Sequence, residues 1–146
     1  MFVYLDTCSI QRPFDDHSQL RIASESEAVL RLIQLAEQGD ISLLSSEALL
    51  LETKQIPRSK RRRFALETLA LAVRFIETSL QIESRSRTFI EAGIGPLDAL
   101  HLASAVDSGA DVFCTTDDQL LRRGRDVETD RTAVLTPIEL IEMIES

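Results

Sequence analysis

Short apolar segments alternate with longer amphipathic segments along this chain of 146 residues, and this alternation is what most restricts its fold. When strands and helices alternate in this way, the strands usually lie parallel in one sheet and the helices cover both of its faces. We therefore predict an α/β fold in a single domain over residues 1–146, a three-layer α/β/α sandwich with a central, mostly parallel sheet. The segments predicted as strands are residues 2–5, 41–44, 80–82, 110–114 and 133–135.

Apolar residues that recur every three or four positions predict the helices between these strands. Ser24 or Ser26 is a candidate cap for the first helix, and Gly39 stands where that helix should end. Thr136 and Glu139 are spaced as in a capping box, which places the start of the last helix. The helices predicted before it cover residues 24–38, 45–52, 64–78, 84–92, 97–108 and 117–123.

Four acidic residues, Asp6, Glu52, Asp98 and Asp117, stand at the ends of apolar runs. A carboxylate at the edge of a buried segment costs free energy unless another group compensates its charge. Asp6 and Asp117 follow predicted strands directly, and a helix that begins at the carboxyl edge of a sheet can bring its first turn to the same cleft. One divalent cation would compensate several carboxylates at once, so the pattern indicates a hard-metal site and phosphate chemistry.

The net charge of −8 argues against a protein that coats nucleic acid by charge alone. Two basic clusters stand out from this acidic background: residues 58–63, Arg-Ser-Lys-Arg-Arg-Arg, and the group Arg122, Arg123 and Arg125. A run of charge such as residues 58–63 is most often a solvated face. The alternatives are that it contacts an RNA backbone or docks an acidic segment of a partner protein.

Other features of the sequence exclude further classes of protein. No apolar stretch approaches the length of a membrane span, and the first residues do not have the pattern of a signal peptide. We therefore expect a cytoplasmic protein with no membrane anchor. The two cysteines, Cys8 and Cys114, are too few for a disulfide framework or a zinc site. We expect Cys114 to lie in the core and Cys8 to line a cleft.

Four motifs that span most of the chain contain the acidic residues. They are Val-Tyr-Leu-Asp-Thr at 3–7, Leu-Ser-Ser-Glu-Ala-Leu-Leu-Leu-Glu at 44–52, Pro-Leu-Asp-Ala-Leu-His-Leu-Ala-Ser-Ala at 96–105 and Phe-Cys-Thr-Thr-Asp-Asp at 113–118. In this order and spacing they resemble the PIN-domain nucleases, the family that includes the VapC toxins of bacterial toxin–antitoxin pairs. The most specific part is Asp-Ala-x-x-x-Ala, followed by a strand and then Thr-x-Asp.

This resemblance implies a PIN-like fold and an enzyme that binds Mg²⁺ or Mn²⁺ and hydrolyses RNA. Matched motif by motif, the metal-binding and catalytic acids are Asp6, Glu52, Asp98 and Asp117, and Thr115 stands at the family's hydroxyl position. The implied partners are an RNA substrate, a small antitoxin protein and a second copy of the chain in a homodimer. The alternative is a catalytically silent PIN fold that binds RNA or protein, although four intact acids argue against it.

Two of the four acids have competitors close by in the sequence. Glu47 competes with Glu52 because both lie in the same motif, and Asp118 competes with Asp117. The match to the family favours Glu52 and Asp117.

Two further positions bear on the chemistry. Cys8 stands where many family members have asparagine, which removes a polar group near Asp6. A phosphatase of the haloacid type needs a second aspartate at that same position, so Cys8 argues against this class. His101 lies one turn after Asp98 and could face the site, but a packed or surface histidine is the more common case.

Overall fold

The computed structural model describes residues 1–146, in which five strands alternate with helices. The strands are β1 (Phe2–Leu5), β2 (Ser42–Ser46), β3 (Arg74–Ile76), β4 (Val112–Cys114) and β5 (Ala133–Leu135). The helices are α1 (Thr7–Gln11), α2 (Leu20–Glu37), α3 (Glu47–Lys54), α4 (Ser59–Leu69), α5 (Leu80–Glu91), α6 (Pro96–Asp107), α7 (Asp118–Asp126) and α8 (Pro137–Glu145), and a short 3₁₀ helix covers Arg12–Phe14.

All five strands run parallel in one sheet, in the order β3-β2-β1-β4-β5, as the predicted parallel sheet requires. β1 lies at the centre, and its last residue, Leu5, pairs with Cys114 at the end of β4. The backbone N–H of Asp6 then donates to the carbonyl of Cys114 at 3.1 Å. Asp6 and Thr115 therefore leave the sheet side by side at its carboxyl edge.

Helices cover both faces of the sheet, which confirms the predicted three-layer α/β/α sandwich. Tyr4 projects to one face and belongs to an apolar cluster that includes Phe89 of α5 and residues of α6. Its neighbours Val3 and Leu5 project to the other face and cluster with α2 residues such as Leu32. This alternation along a strand is the expected result of its two-residue period. None of the helices combines the length and apolar character needed to cross a membrane.

The predicted helix over residues 64–78 is correct only for residues 64–69, and the predicted strand over residues 80–82 is wrong, since these residues begin α5. Helix α4 begins at Ser59, inside the basic cluster, and ends at Leu69, before β3. Lysine and arginine have high helix propensity, which favours a helix in the basic cluster. β3 is a three-residue edge strand in which Phe75 is half-exposed, so no buried apolar run marks it in the sequence.

Helix α2 begins at Leu20, before the predicted start, and neither Ser24 nor Ser26 caps it. The helix itself was predicted correctly, but its start was placed too late, because polar residues occupy part of its buried side near the N-terminal end. Glu25 is 2% exposed and accepts a hydrogen bond from Nε of Arg12 at 3.0 Å. A pattern search that expects apolar residues on the buried side therefore misses the first turns.

Candidate active site

Asp6 is a buried carboxylate at the end of the central strand. It caps α1, a short helix that the sequence pattern did not predict, and accepts a hydrogen bond from the N–H of Ser9 at 2.9 Å. Burial raises the pKa of Asp6 to about 6, although hydrogen bonds from Thr115 and Ser9 act in the opposite direction. No arginine or lysine forms an ion pair with Asp6.

Thr115 joins Asp6 to Asp117. Its buried hydroxyl bonds to the Asp6 carboxylate and accepts the N–H of Asp117 at 3.0 Å. Asp117 caps α7, and its carboxylate accepts the N–H of Leu120 at 2.9 Å. Two carboxylates from the ends of neighbouring strands are thus held near each other by one threonine.

Glu52 lies in α3 and reaches the same edge of the sheet. Its Oε1 accepts two hydrogen bonds, one from the hydroxyl of Thr7 and one from Nε2 of His101 at 3.0 Å. Burial acts to raise the pKa of Glu52, but the hydrogen bonds from His101 and Thr7 outweigh it and hold the pKa below its usual value. Glu52 is therefore a charged carboxylate whose other oxygen, Oε2, has no protein donor.

His101 is buried, as a packed histidine would be, but it also contacts the site. Its Nδ1 lies 2.7 Å from the Tyr4 hydroxyl, which lies 2.7 Å from the hydroxyl of Ser46. A carboxylate only accepts hydrogen bonds, so Nε2 donates to Glu52, and in the neutral ring Nδ1 accepts from Tyr4. Burial raises the pKa of Tyr4, which keeps its hydroxyl protonated as a donor. The spacing of three from Asp98 placed His101 near the site, but no sequence pattern indicated its contact with Glu52.

Asp98 lies in the first turn of α6 and is partly exposed. Burial raises its pKa, and the negative charges of Asp117 and Glu52 raise it further, whereas His101 acts in the opposite direction. Asp98 has no basic partner within ion-pair distance. The carboxylate of Asp98 is therefore close enough to Asp117 and Glu52 to be affected by their charges.

The thiol of Cys8 lies within electrostatic range of all four acids. Desolvation raises the pKa of its thiol to about 12, and Asp6, Asp117, Asp98 and Glu52 each add to that rise. The structure therefore brings the four predicted side chains to one edge of the sheet, which we call the acidic edge. In this conformation, however, no three His, Cys, Asp or Glu side chains are close enough together to hold one metal ion.

The two competing acids are engaged elsewhere. Both carboxylate oxygens of Asp118 accept hydrogen bonds from Arg21, at 2.7 and 2.8 Å. Glu47 accepts the backbone N–H of Thr78 at 3.3 Å. These contacts favour Asp117 and Glu52 as members of the acidic edge.

A family model described as the PIN domain matches residues 3–126, most of the chain and all four acids of the acidic edge. The chain belongs to the PIN-domain family. No curated protein matches it.

Two solved structures share the fold of this PIN domain. One is VapBC2 from Rickettsia felis, bound to a DNA fragment from its promoter. It is 16% identical with a TM-score of 0.59, and the match covers 92% of this chain and 98% of that one. The other is PAE2754 from Pyrobaculum aerophilum, 15% identical with a TM-score of 0.56, where the match covers 99% and 90%. At these identities the likeness concerns the fold alone.

The residues of this PIN domain fit a hard divalent cation. The acidic edge offers carboxylate oxygens, and Glu52 alone among its four acids has a basic partner, His101. Mg²⁺ and Mn²⁺ prefer oxygen ligands, whereas the one cysteine nearby, Cys8, keeps its proton because its pKa is raised. The donor set is therefore suited to Mg²⁺ or Mn²⁺ rather than to a thiolate-bound metal.

Proposed function

We propose that this PIN domain is a metal-dependent endoribonuclease that uses Mg²⁺ or Mn²⁺, with Asp6, Glu52, Asp98 and Asp117 as metal-binding and catalytic residues. The observation that carries the proposal is the charge of the acidic edge. Three of its four carboxylates have no basic partner although two neighbouring strands and two helices bring them together. A fold that gathers like charges in this way is completed by a cation.

Each side chain has a distinct part in this proposal. Asp6 and Asp98 bind the metal most directly, Asp117 completes the set, and Glu52 binds the metal or orients the attacking water. The bound cation would activate that water and offset the charge that develops on the phosphorus centre. Glu52 is suited to orienting water because it is charged and Oε2 is unused, while His101 holds Oε1 in place.

The experiment is RNA cleavage with structured and unstructured RNA, in Mg²⁺ or Mn²⁺ and in EDTA. Cleavage should require the metal and be lost in Asp6→Asn and in Asp98→Asn. Glu47→Gln and Asp118→Asn are matched controls, since each removes one carboxylate charge outside the acidic edge, and both should cleave like the wild type. Undiminished cleavage in Asp6→Asn and Asp98→Asn, or equal loss in the controls, would contradict the proposal.

We also infer that the chain is the toxin of a toxin–antitoxin pair, acting on RNA in the cytoplasm as a homodimer and inhibited by a small antitoxin that covers the acidic edge. Its support is the shared fold with a structure that contains VapBC2. Expression of the chain in bacteria should arrest growth, Asp98→Asn should not, and a small DNA-binding protein encoded by the adjacent gene should relieve the arrest. Growth unaffected by the wild type would contradict this setting.

One observation favours a second candidate, a silent RNA-binding or protein-binding module: no three donor side chains are close enough to bind one ion in this conformation. The same assay separates the two candidates. RNA that is retained on a filter by the wild type but never cleaved, with Mg²⁺ or with Mn²⁺, would favour the silent module.

A further inference from the structure

Three side chains of the basic cluster, residues 58–63, are exposed and unpaired. Arg58 precedes α4, and Lys60 and Arg63 lie in its first turns. None of them is within ion-pair distance of a carboxylate, although carboxylates outnumber cations in this chain, 24 to 16. Three adjacent cations that the fold leaves unpaired are available to an external anion.

Another basic residue of the cluster, Arg61, connects it to the acidic edge. Arg61 lines a cleft of about 340 Å³ whose other lining residues include Cys8 and Asp117. Its guanidinium donates to the Asp15 carboxylate at 3.0 Å and to the Phe14 carbonyl at 2.7 Å, which fixes its position. The start of α4 therefore borders the same cleft as the acidic edge.

The topology places the basic cluster at the same end of the molecule. Helix α3 follows β2 at the carboxyl edge, and the chain re-enters the sheet at its other end, where the N–H of Val73 donates to the carbonyl of Leu43 at 2.9 Å. Helix α4, with 11 residues, runs between these two ends, a rise of about 16 Å. Its first turn, with Lys60, therefore lies towards the carboxyl edge.

We propose that Arg58, Lys60 and Arg63, with the cleft beside Arg61, bind the sugar–phosphate backbone of single-stranded RNA next to the phosphodiester at the acidic edge. This inference rests on the proposed function, because RNA enters the argument there. The acidic edge by itself repels phosphate, so a substrate strand needs positive charge close by. Arginine and lysine contacts to phosphate supply affinity and position without reading bases. A strand that extends from the acidic edge along the cleft passes Arg61 and reaches the start of α4, where Arg58 and Lys60 lie.

The experiment is binding of a short, 5′-labelled single-stranded RNA of mixed sequence, measured by fluorescence anisotropy in EDTA over a series of salt concentrations. The test variant is Arg58→Gln with Arg63→Gln. Its matched control is Arg74→Gln with Arg87→Gln, which removes the same two charges from exposed arginines that also have no ion pair. Each phosphate contact contributes about 0.7 to the slope of log affinity against log salt for a single strand.

The test pair should therefore reduce that slope by about 1.4 and weaken binding at low salt by roughly tenfold or more, whereas the control pair should bind like the wild type. Arg58→Lys with Arg63→Lys keeps both charges and should retain binding. Thermal unfolding followed by circular dichroism checks that all variants fold.

Three outcomes would overturn the inference: no RNA binding by the wild type, unchanged binding in the Arg58 and Arg63 pair, or equal loss in the control pair. Unchanged binding would favour the alternative that residues 58–63 bind an acidic segment of a partner protein. Because binding is measured in EDTA, its result does not depend on cleavage. Cleavage without a role for α4 refutes this inference alone, and α4-dependent binding without any cleavage refutes the proposed function alone.

Discussion

Two buried carboxylates lie in different parts of this molecule, and they differ in their hydrogen-bond and ion-pair partners. Glu25 in α2 is 2% exposed and pairs with Arg12 at 3.0 Å and with Arg21 at 3.5 Å. Asp6 at the acidic edge is 3% exposed and receives hydrogen bonds only from neutral groups, those of Ser9 and Thr115. The chain can therefore pair a buried carboxylate with arginine, and at the acidic edge it does not, which is the arrangement that the proposed cation would complete.

Neutralising the two carboxylates in turn should give opposite results, and this is the largest effect we expect. Asp6→Asn should lower RNA cleavage by roughly a thousandfold and leave the metal-free protein as stable as the wild type or more so, because it removes a buried charge. Glu25→Gln should leave cleavage nearly unchanged and lower the free energy of unfolding by about 2 kcal/mol. Single-turnover cleavage and urea unfolding in EDTA measure the two effects. Equal effects of both substitutions on both measurements would break the comparison.

The unpaired state of Asp6 should also appear in the pH dependence of the free energy of unfolding. The folded-state pKa of Asp6 is raised to about 6, so the folded protein binds more protons than the unfolded chain between about pH 4 and pH 6. Its contribution to stability is present below pH 4 and is lost as the pH rises through 6, on the order of 3 kcal/mol. Urea unfolding in EDTA across this range should show the loss in the wild type.

The control for this titration is the difference between the wild type and Asp6→Asn at each pH, because the other carboxyl groups titrate in both proteins. That difference should change from about pH 4 to pH 6 and stay constant above it. Asp98, whose pKa is also raised, contributes in the same direction in both proteins. A difference that does not vary with pH would mean that Asp6 has the same pKa in the folded and unfolded states, so that a partner compensates its burial.

The contrast between the two carboxylates also separates what the sequence reveals from what it does not. Asp6 and Asp117 could be placed because each follows a strand, and all strands of a parallel sheet end at one edge. The capping box of Thr136 and Glu139 could also be predicted, because both partners lie within one helical turn. Local patterns of this kind fix both the partners and the geometry.

Contacts between distant elements could not be predicted in this way. Glu25 pairs with Arg12 because the 3₁₀ helix folds back on α2, and His101 meets Glu52 because α6 and α3 pack at one particular register. Neither contact leaves a periodic signal in the sequence. β3 was not predicted for a related reason. It is an edge strand with Phe75 half-exposed, so it forms because it pairs with β2 and not because its own residues have a strand pattern.

Within the acidic edge, Glu52 differs from Asp6 in having a basic partner, His101, and removing that partner should have a smaller effect on cleavage. His101→Ala removes the donor to Glu52 and should lower cleavage by about tenfold, with a rise in the Mn²⁺ concentration that gives half-maximal rate. His101→Gln keeps an N–H donor and should recover part of that loss, which a purely structural role would not explain. Rates measured over a Mn²⁺ titration separate the two effects. An equal loss in both variants, with an unchanged Mn²⁺ requirement, would mean that His101 only fills space.

The smallest effect concerns a third buried polar group, Thr53 in α3, whose hydroxyl has no hydrogen-bond partner. Thr53→Val keeps the side-chain shape and removes that hydroxyl, so the free energy of unfolding should stay the same or rise by up to about 1 kcal/mol. Cleavage should be unchanged, although Glu52 is adjacent in the chain. Urea unfolding of the two proteins in EDTA makes the measurement. A clear loss of stability would mean that the Thr53 hydroxyl forms a hydrogen bond in solution.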